Sequence, residues 1–376
     1  MKTRKDQWIT VIAFCLFIGI MSALYFLLPK AEFSETEKRY LAASPKLSAQ
    51  SLASGDFGRE VDTYMADHIP GRDFFVGLNA YVDLYTGRQV SKDIYVAADN
   101  RLVEAPVRWN AEQAQKNVTA VNTFASQLGQ QVHFMIVPSA GWAVSDSIRG
   151  LADPYYDAAF ISDIYAMAEE NVETVDVVSV FEQAEDKASL YFKTDHHWTS
   201  LGAYTAYAHL MEQMGMEYPG ADAFSVETVE NFKGSTYSRA ALWLKPGEKL
   251  QMWSRSQNLQ VTNGESQDVH AGVFYKERLQ EADKYTVYLD GNHSIVRIEN
   301  PDNAGKGKLL VIRDSYSNCL GTFLAESYET VVLVDLRYYK DSVQTLCTQE
   351  GFDHILVCYS LSNFMTDNNL IWLKES

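Results

Sequence analysis

Uncharged residues fill Trp8 to Leu28 (WITVIAFCLFIGIMSALYFLL), a run of 21. At about 1.5 Å per helical residue this is long enough to cross a hydrocarbon core of about 30 Å. Residues 31 to 55 then turn polar, include Pro45, and read as a juxtamembrane linker. From Asp56 to Arg88 apolar positions recur at helical spacing, broken at Pro70-Gly71. A helix over residues 111 to 129 is predicted to lead through Gly129 into the strand Val132–Val137. A second helix, about 155 to 170, feeds a strand at Val175–Val180. Thr199 or Ser200 supplies the oxygen to cap a helix from about Leu201 to Met214.

Between residues 218 and 300 the pattern becomes short and alternating, as in Asn258–Thr262, Val269–Tyr275 and Tyr285–Leu289, which predicts a β-rich insertion. Beyond it come a buried strand Lys308–Arg313, a helix over 317–326, a strand Thr330–Asp335, a helix near 341–348 and a strand Ile355–Cys358. Strands that alternate with helices predict an α/β domain with a mostly parallel sheet flanked by helices. The expected organisation is a cytoplasmic tip and transmembrane anchor (1–30), a linker (31–55) and an extracytoplasmic domain (56–376).

Charge sets the orientation of the apolar run. Lys2, Arg4 and Lys5 precede it, which keeps the N-terminus in the cytoplasm. A cleaved signal peptide has the same basic start but a shorter apolar core that ends in small residues. Here the run ends in Tyr25-Phe26-Leu27-Leu28-Pro29-Lys30, so the expectation is an uncleaved single-pass anchor in the cell membrane. Composition is otherwise that of a globular protein, 47% apolar and 22% charged. A net charge of −17 repels phosphate backbones and, with no local basic patch, argues against a nucleic-acid partner. Four cysteines, one of them in the apolar run, predict no obligatory disulfide.

Two segments carry candidate chemistry. In Thr194-Asp195-His196-His197-Trp198-Thr199, Asp195 and His197 are two apart. On extended backbone both point to one face, where the carboxylate orients an imidazole as general base, while His196 points to the other. Two other readings compete. The cluster could bind a metal, although no further histidine has ligand spacing, or it could be structural. In Val311-Ile312-Arg313-Asp314-Ser315-Tyr316-Ser317 an apolar strand runs straight into a serine at the start of a helix. Ligands of open α/β sheets bind at this end of the strands, and the turn's amides lie where an oxyanion would form. Asp314 or Ser315 could instead be a plain helix cap. Ser, His and Asp together make a nucleophilic set in any chain order.

The run Asp195-His196-His197-Trp198 resembles the defining motif of the DHHW family of bacterial cell-envelope proteins. Further matching segments include Phe33-Ser34-Glu35, Asp67-His68-Ile69-Pro70-Gly71-Arg72, Gly291-Asn292-His293, Arg313-Asp314-Ser315-Tyr316 and Val334 to Tyr339. That family is similar to the SGNH-like acetyltransferases of alginate O-acetylation. The resemblance implies a permuted SGNH-hydrolase-like fold, with Ser315 as nucleophile, His197 as base and Asp195 as orienting carboxylate, and with no cofactor or metal. A G-x-N-D block that would supply the usual oxyanion donors is missing. The Ser315 and Tyr316 amides and the Asn292 side chain are the substitutes, and Arg337, past the end of a strand, is a candidate for substrate oxygen.

The function expected from these residues is O-acetyl transfer to a cell-envelope or secreted polysaccharide. The resemblance implies an acetyl donor delivered by a multispanning MBOAT-type acyltransferase. A carbohydrate acetylesterase would use the same three residues, with water replacing the sugar hydroxyl. A non-catalytic glycan-binding or scaffold protein is the remaining class, with Trp142, Trp198 and Trp243 as stacking surfaces.

Overall fold

The computed structural model describes residues 4–86, 90–91, 93–148, 153–264, 266 and 268–374. Lys2 and the predicted helix end at Arg88 lie outside them. The chain forms two compact units, residues 1–91 with 241–243, and residues 92–240 with 244–376.

In the first unit, helix α1 (Arg4–Leu27) leaves Ile9, Phe14 and Phe17 exposed. Over Gln7–Leu27 it is long and apolar enough to cross a membrane or to serve as a signal sequence. The segment read as a linker carries the strand pair Phe33–Ser34 and Arg39–Tyr40 and a short helix, Ala49–Ser54. Helices α2 (Asp56–His68) and α3 (Arg72–Tyr85) are separated at Pro70-Gly71, where Gly71 takes φ 71°. Buried Asp67 accepts from Arg39 Nη2 at 2.5 Å, Arg39 Nη1 at 3.0 Å and the Ala42 amide at 2.9 Å. Arg39 thereby lowers the Asp67 carboxyl to about 2.

The second unit is built on an eight-stranded sheet: β1 (Val132–Val137), β2 (Val172–Val175), β3 (Gln260–Asn263), β4 (Val269–Ala271), β5 (Ile295–Glu299), β6 (Lys308–Arg313), β7 (Thr330–Val334) and β8 (His354–Ser360). Their spatial order is β4-β3-β5-β7-β6-β8-β1-β2. The pairs β7/β6, β6/β8, β8/β1 and β1/β2 are parallel, and β4/β3, β3/β5 and β5/β7 antiparallel. Every residue of β1 and β7 is buried, and apart from His133 and Thr330 all are apolar, as in strands covered on both faces. Helices α4 (Ala111–Leu128), α5 (Ser200–Gln213) and α6 (Ser317–Leu324) belong to this unit.

Three expectations are corrected. Val177–Val180 is helical within Val177–Glu182, and the strand before it is Val172–Val175. The Asp176 side chain accepts from the Ser179 amide at 3.2 Å and caps a helix that the β-branched run conceals. Tyr285–Leu289 is not a strand, since Lys284–Val287 forms a 3₁₀ turn. Within 218–300, β3, β4 and β5 extend the central sheet in antiparallel fashion, while Ser225–Phe232 and Glu248–Ser254 pair separately.

Candidate active site

Strand β6 ends at Arg313, next to Cys358 of β8, and the chain turns through Asp314-Ser315-Tyr316 into α6. The turn is held by Asp314, which is 1% exposed. Its Oδ1 accepts from the Tyr316 amide at 3.0 Å, and its Oδ2 accepts from the Ser360 amide, Ser360 Oγ and Asn363 Nδ2, each at 2.8 Å. Asp314 therefore does cap the turn, and Ser315 stands half-buried at the carboxyl end of the strand.

The histidine segment forms a closed loop between Tyr191 and Trp198, which make an isolated antiparallel bridge. Thr199 caps α5, its Oγ1 accepting from the Gly202 amide at 3.3 Å, and so anchors the exit of the loop. Arg101 Nη1 donates to the Tyr191 and Phe192 carbonyls at 2.7 and 2.8 Å and anchors the entry. Glu248 accepts from the Lys193 amide at 2.8 Å and from the Thr194 amide and Oγ1 at 2.6 Å each. Burial raises the pKa of this carboxyl.

Within the loop, His197 Nδ1 lies 2.6 Å from Asp195 Oδ1, and His197 Nε2 lies 2.8 Å from Ser315 Oγ. Asp195 also accepts from the His197 amide at 3.0 Å and, through Oδ2, from the Ser235 amide at 2.6 Å. Both Asp195 and His197 are buried. Gly234 lets the neighbouring chain approach this closely, because a Cβ there would fall 2.2 Å from both Cβ and Oδ2 of Asp195. The Tyr285 ring stacks on His197 with centroids 3.9 Å apart and planes 4° apart. Burial drives the Tyr285 phenol pKa well up, so it stays neutral.

His196 departs from its expected place. The loop bends at this point and is not an extended strand, so the His196 and His197 rings lie with centroids 3.8 Å apart, not on opposite faces. His196 Nδ1 is 2.6 Å from Ser235 Oγ, and Tyr316 Oη donates to the His196 carbonyl. Burial, and then the neighbouring His197, lower its pKa. One ligand atom each from Asp195, His196 and His197 lie within 4.8 Å of one another, close enough to hold a cation.

The remaining candidates have protein partners of their own. The Tyr316 amide donates to Asp314, as above. Asn292 Oδ1 accepts from Arg313 Nη1 at 2.9 Å and from Asn318 Nδ2 at 3.0 Å. Arg337 forms a two-point ion pair with Asp335, at 2.9 Å from Nε and 2.6 Å from Nη2. Trp198 is fully buried and donates to the Tyr316 carbonyl at 3.0 Å, so it packs beneath the serine turn and presents no face to a sugar. Trp142 is buried too, and Trp243 donates to the Asp73 carbonyl at 2.8 Å. Glu248, Gly234, Ser235 and Tyr285 complete the site without any signal in the sequence pattern that marks them.

The DHHW protein family matches residues 93–334, which span both segments of the site. The chain belongs to the DHHW family. A DHHW family protein from Eubacterium siraeum is similar in structure, with TM-score 0.67 and 22% identity over 76% of this chain and 96% of that one. Bacillus cereus PatB1, in a structure with a sulfonyl adduct, gives TM-score 0.62 and 22% identity over 75% of this chain and 98% of its own. The O-acetyltransferase domain of Pseudomonas putida AlgJ lies further off, at TM-score 0.48 and 14% identity over 75% of this DHHW chain and 98% of its own. No curated protein matches the chain.

Proposed function

We propose that this DHHW protein is a membrane-anchored, extracytoplasmic O-acetyltransferase for a cell-envelope or secreted polysaccharide, with Ser315, His197 and Asp195 as its triad. The observation that carries the reading is the continuous path from Asp195 Oδ1 through both imidazole nitrogens to Ser315 Oγ, at 2.6 and 2.8 Å. In this arrangement His197 Nε2 takes the Ser315 proton as Oγ attacks the donor's acetyl carbonyl, and Asp195 keeps Nδ1 protonated and stabilises the imidazolium. The proton passes to the departing donor alcohol, leaving an acetyl-serine. A sugar hydroxyl, deprotonated by the same nitrogen, then attacks it and regenerates Ser315. With the Tyr316 amide turned to Asp314, the Ser315 amide is the donor of that expected pair left for the oxyanion.

The strand order supports the permuted fold. Counted from β6, the strands β7-β6-β8-β1-β2 follow the doubly wound order 2-1-3-4-5, with the last two supplied first in the chain. The sulfonyl adduct on PatB1 also supports the reading, because sulfonylating reagents are electrophiles that an activated hydroxyl attacks. The choice of acetyl and of a glycan acceptor follows the resemblance to alginate O-acetylation, as does a donor delivered by an MBOAT-type partner. The helix over Gln7–Leu27, long and apolar enough to cross a membrane, supports the anchor. Exposure of the full-length protein to phenylmethanesulfonyl fluoride, followed by peptide mapping, tests the nucleophile. The label is expected on Ser315, and a label elsewhere with Ser315 unmodified rejects the assignment.

A further inference from the structure

A cavity of about 110 Å³ is walled by His196, Tyr316, Ser139, Ser362, Asn363 and Glu104 among others, so the chain neighbours of His197 and Ser315 line it. At about 30 Å³ of liquid per water molecule, it has room for roughly three or four waters, or for one hydroxyl-bearing arm of a ligand. None of its lining residues is Lys or Arg, and Glu104 is ion-paired with Arg239. An anionic ligand would find no counter-charge on these walls, whereas a neutral polyol suits their hydroxyls and amide.

His196 is the imidazole on this wall. Ser235 Oγ holds its Nδ1 at 2.6 Å, and Tyr316 Oη donates to its carbonyl, so both ring and backbone are fixed. Its ring centroid is 3.8 Å from that of His197. The proton between Nδ1 and Ser235 can lie on either side, which leaves Nε2 as an acceptor or as a donor. A hydroxyl both donates and accepts, so it satisfies either tautomer, while an ester carbonyl satisfies only one.

We infer, on the strength of the Ser315 reading above, that His196 is the residue that holds the acceptor hydroxyl and so favours acetyl transfer over hydrolysis. The acceptor oxygen accepts from His196 Nε2–H, and its own O–H gives its proton to His197 Nε2 as the oxygen bonds to the acetyl carbon. The bond from that carbon to Ser315 Oγ then breaks, and Oγ takes the proton back from His197. Water reaches the same carbon but gains less from one fixed hydrogen bond than a polyol seated in the cavity.

The test uses the full-length protein in detergent micelles, 4-nitrophenyl acetate as donor and glycerol as probe hydroxyl, and measures the ratio of glycerol acetate to free acetate. Wild type is expected to acetylate glycerol beyond its molar share against water. His196→Ala should lower that ratio about tenfold, as the loss of one well-placed hydrogen bond predicts. His196→Gln, whose amide reaches the Nε2 position, should keep most of the preference. A ratio for His196→Ala equal to wild type, or a wild type with no preference for glycerol over its molar share, overturns the inference. Because a ratio is read, partial loss of folded protein leaves the outcome unchanged. If Ser315→Ala turns over the donor as wild type does, the Ser315 reading itself fails, and that result is separately visible.

Discussion

Tyr285 lies flat against His197, with ring centroids 3.9 Å apart and planes 4° apart, and its hydroxyl donates to the Ser315 carbonyl at 3.4 Å. One side chain from the 218–300 segment thus touches both the imidazole and the serine turn. Removing the ring frees the imidazole to rotate away from Ser315. Aromatic pairs are worth about 0.5–1.5 kcal/mol, so Tyr285→Leu should lower aryl acetate turnover up to about tenfold. Tyr285→Phe keeps the stack and should stay within about threefold of wild type. Equal losses in both variants would assign the effect to the hydroxyl and not to stacking.

Gly234 sets the distance between the Ser235 amide and Asp195. A methyl at this position would fall 2.2 Å from both Cβ and Oδ2 of the buried Asp195. Gly234→Ala should therefore displace Asp195 and cost activity on the scale of Asp195→Asn, on the order of a hundredfold or more. The fold should survive by circular dichroism, because the overlap is local. Wild-type turnover in Gly234→Ala would mean that Asp195 does not orient His197.

Much of the fold is legible in the sequence for a simple reason. Strands such as Val132–Val137 and Lys308–Arg313 hold the uninterrupted apolar runs Phe134 to Val137 and Leu309 to Ile312, the pattern that burial on both faces favours. The same rule misreads Val177–Val180, where the cap from Asp176 decides the matter. At the site, Asp195, His197 and Ser315 are legible because their side chains carry chemistry. Their supports are not. Glu248 reaches Thr194 across 54 residues, Ser235 reaches Asp195 across 40, and no local pattern records either contact. Alternation misplaces His196 because it applies to extended strands, and the loop bends at that point.

Acid should weaken the first unit through Asp67. Its folded pKa, about 2, lies below the ordinary carboxyl value, so the pair with Arg39 contributes stability that is present above about pH 4. That contribution is lost as the pH falls through about 2. Asp67→Asn should melt at a lower temperature than wild type near neutrality and show a shallower further decline on acidification. Parallel acid profiles for the two proteins would show that Asp67 is not the group responsible.

Chelation separates the triad from a metal site. With His197 Nε2 given to Ser315, turnover needs no cation, so EDTA should leave aryl acetate hydrolysis unchanged. Loss with EDTA and recovery with zinc would instead assign Asp195, His196 and His197 to a metal.

The most direct measurement of the central claim is the intact mass of the full-length protein, quenched within a turnover of 4-nitrophenyl acetate, with Ser315→Ala and His197→Ala beside wild type. Wild type should carry one acetyl group, mapped to the Ser315 peptide, and His197→Ala should acquire it on the order of a thousandfold more slowly. Ser315→Ala should carry none and lose turnover, because a methyl group cannot attack a carbonyl. An acetyl group on Ser315→Ala at the wild-type rate, or wild-type turnover by that variant, would contradict the assignment of Ser315 as nucleophile.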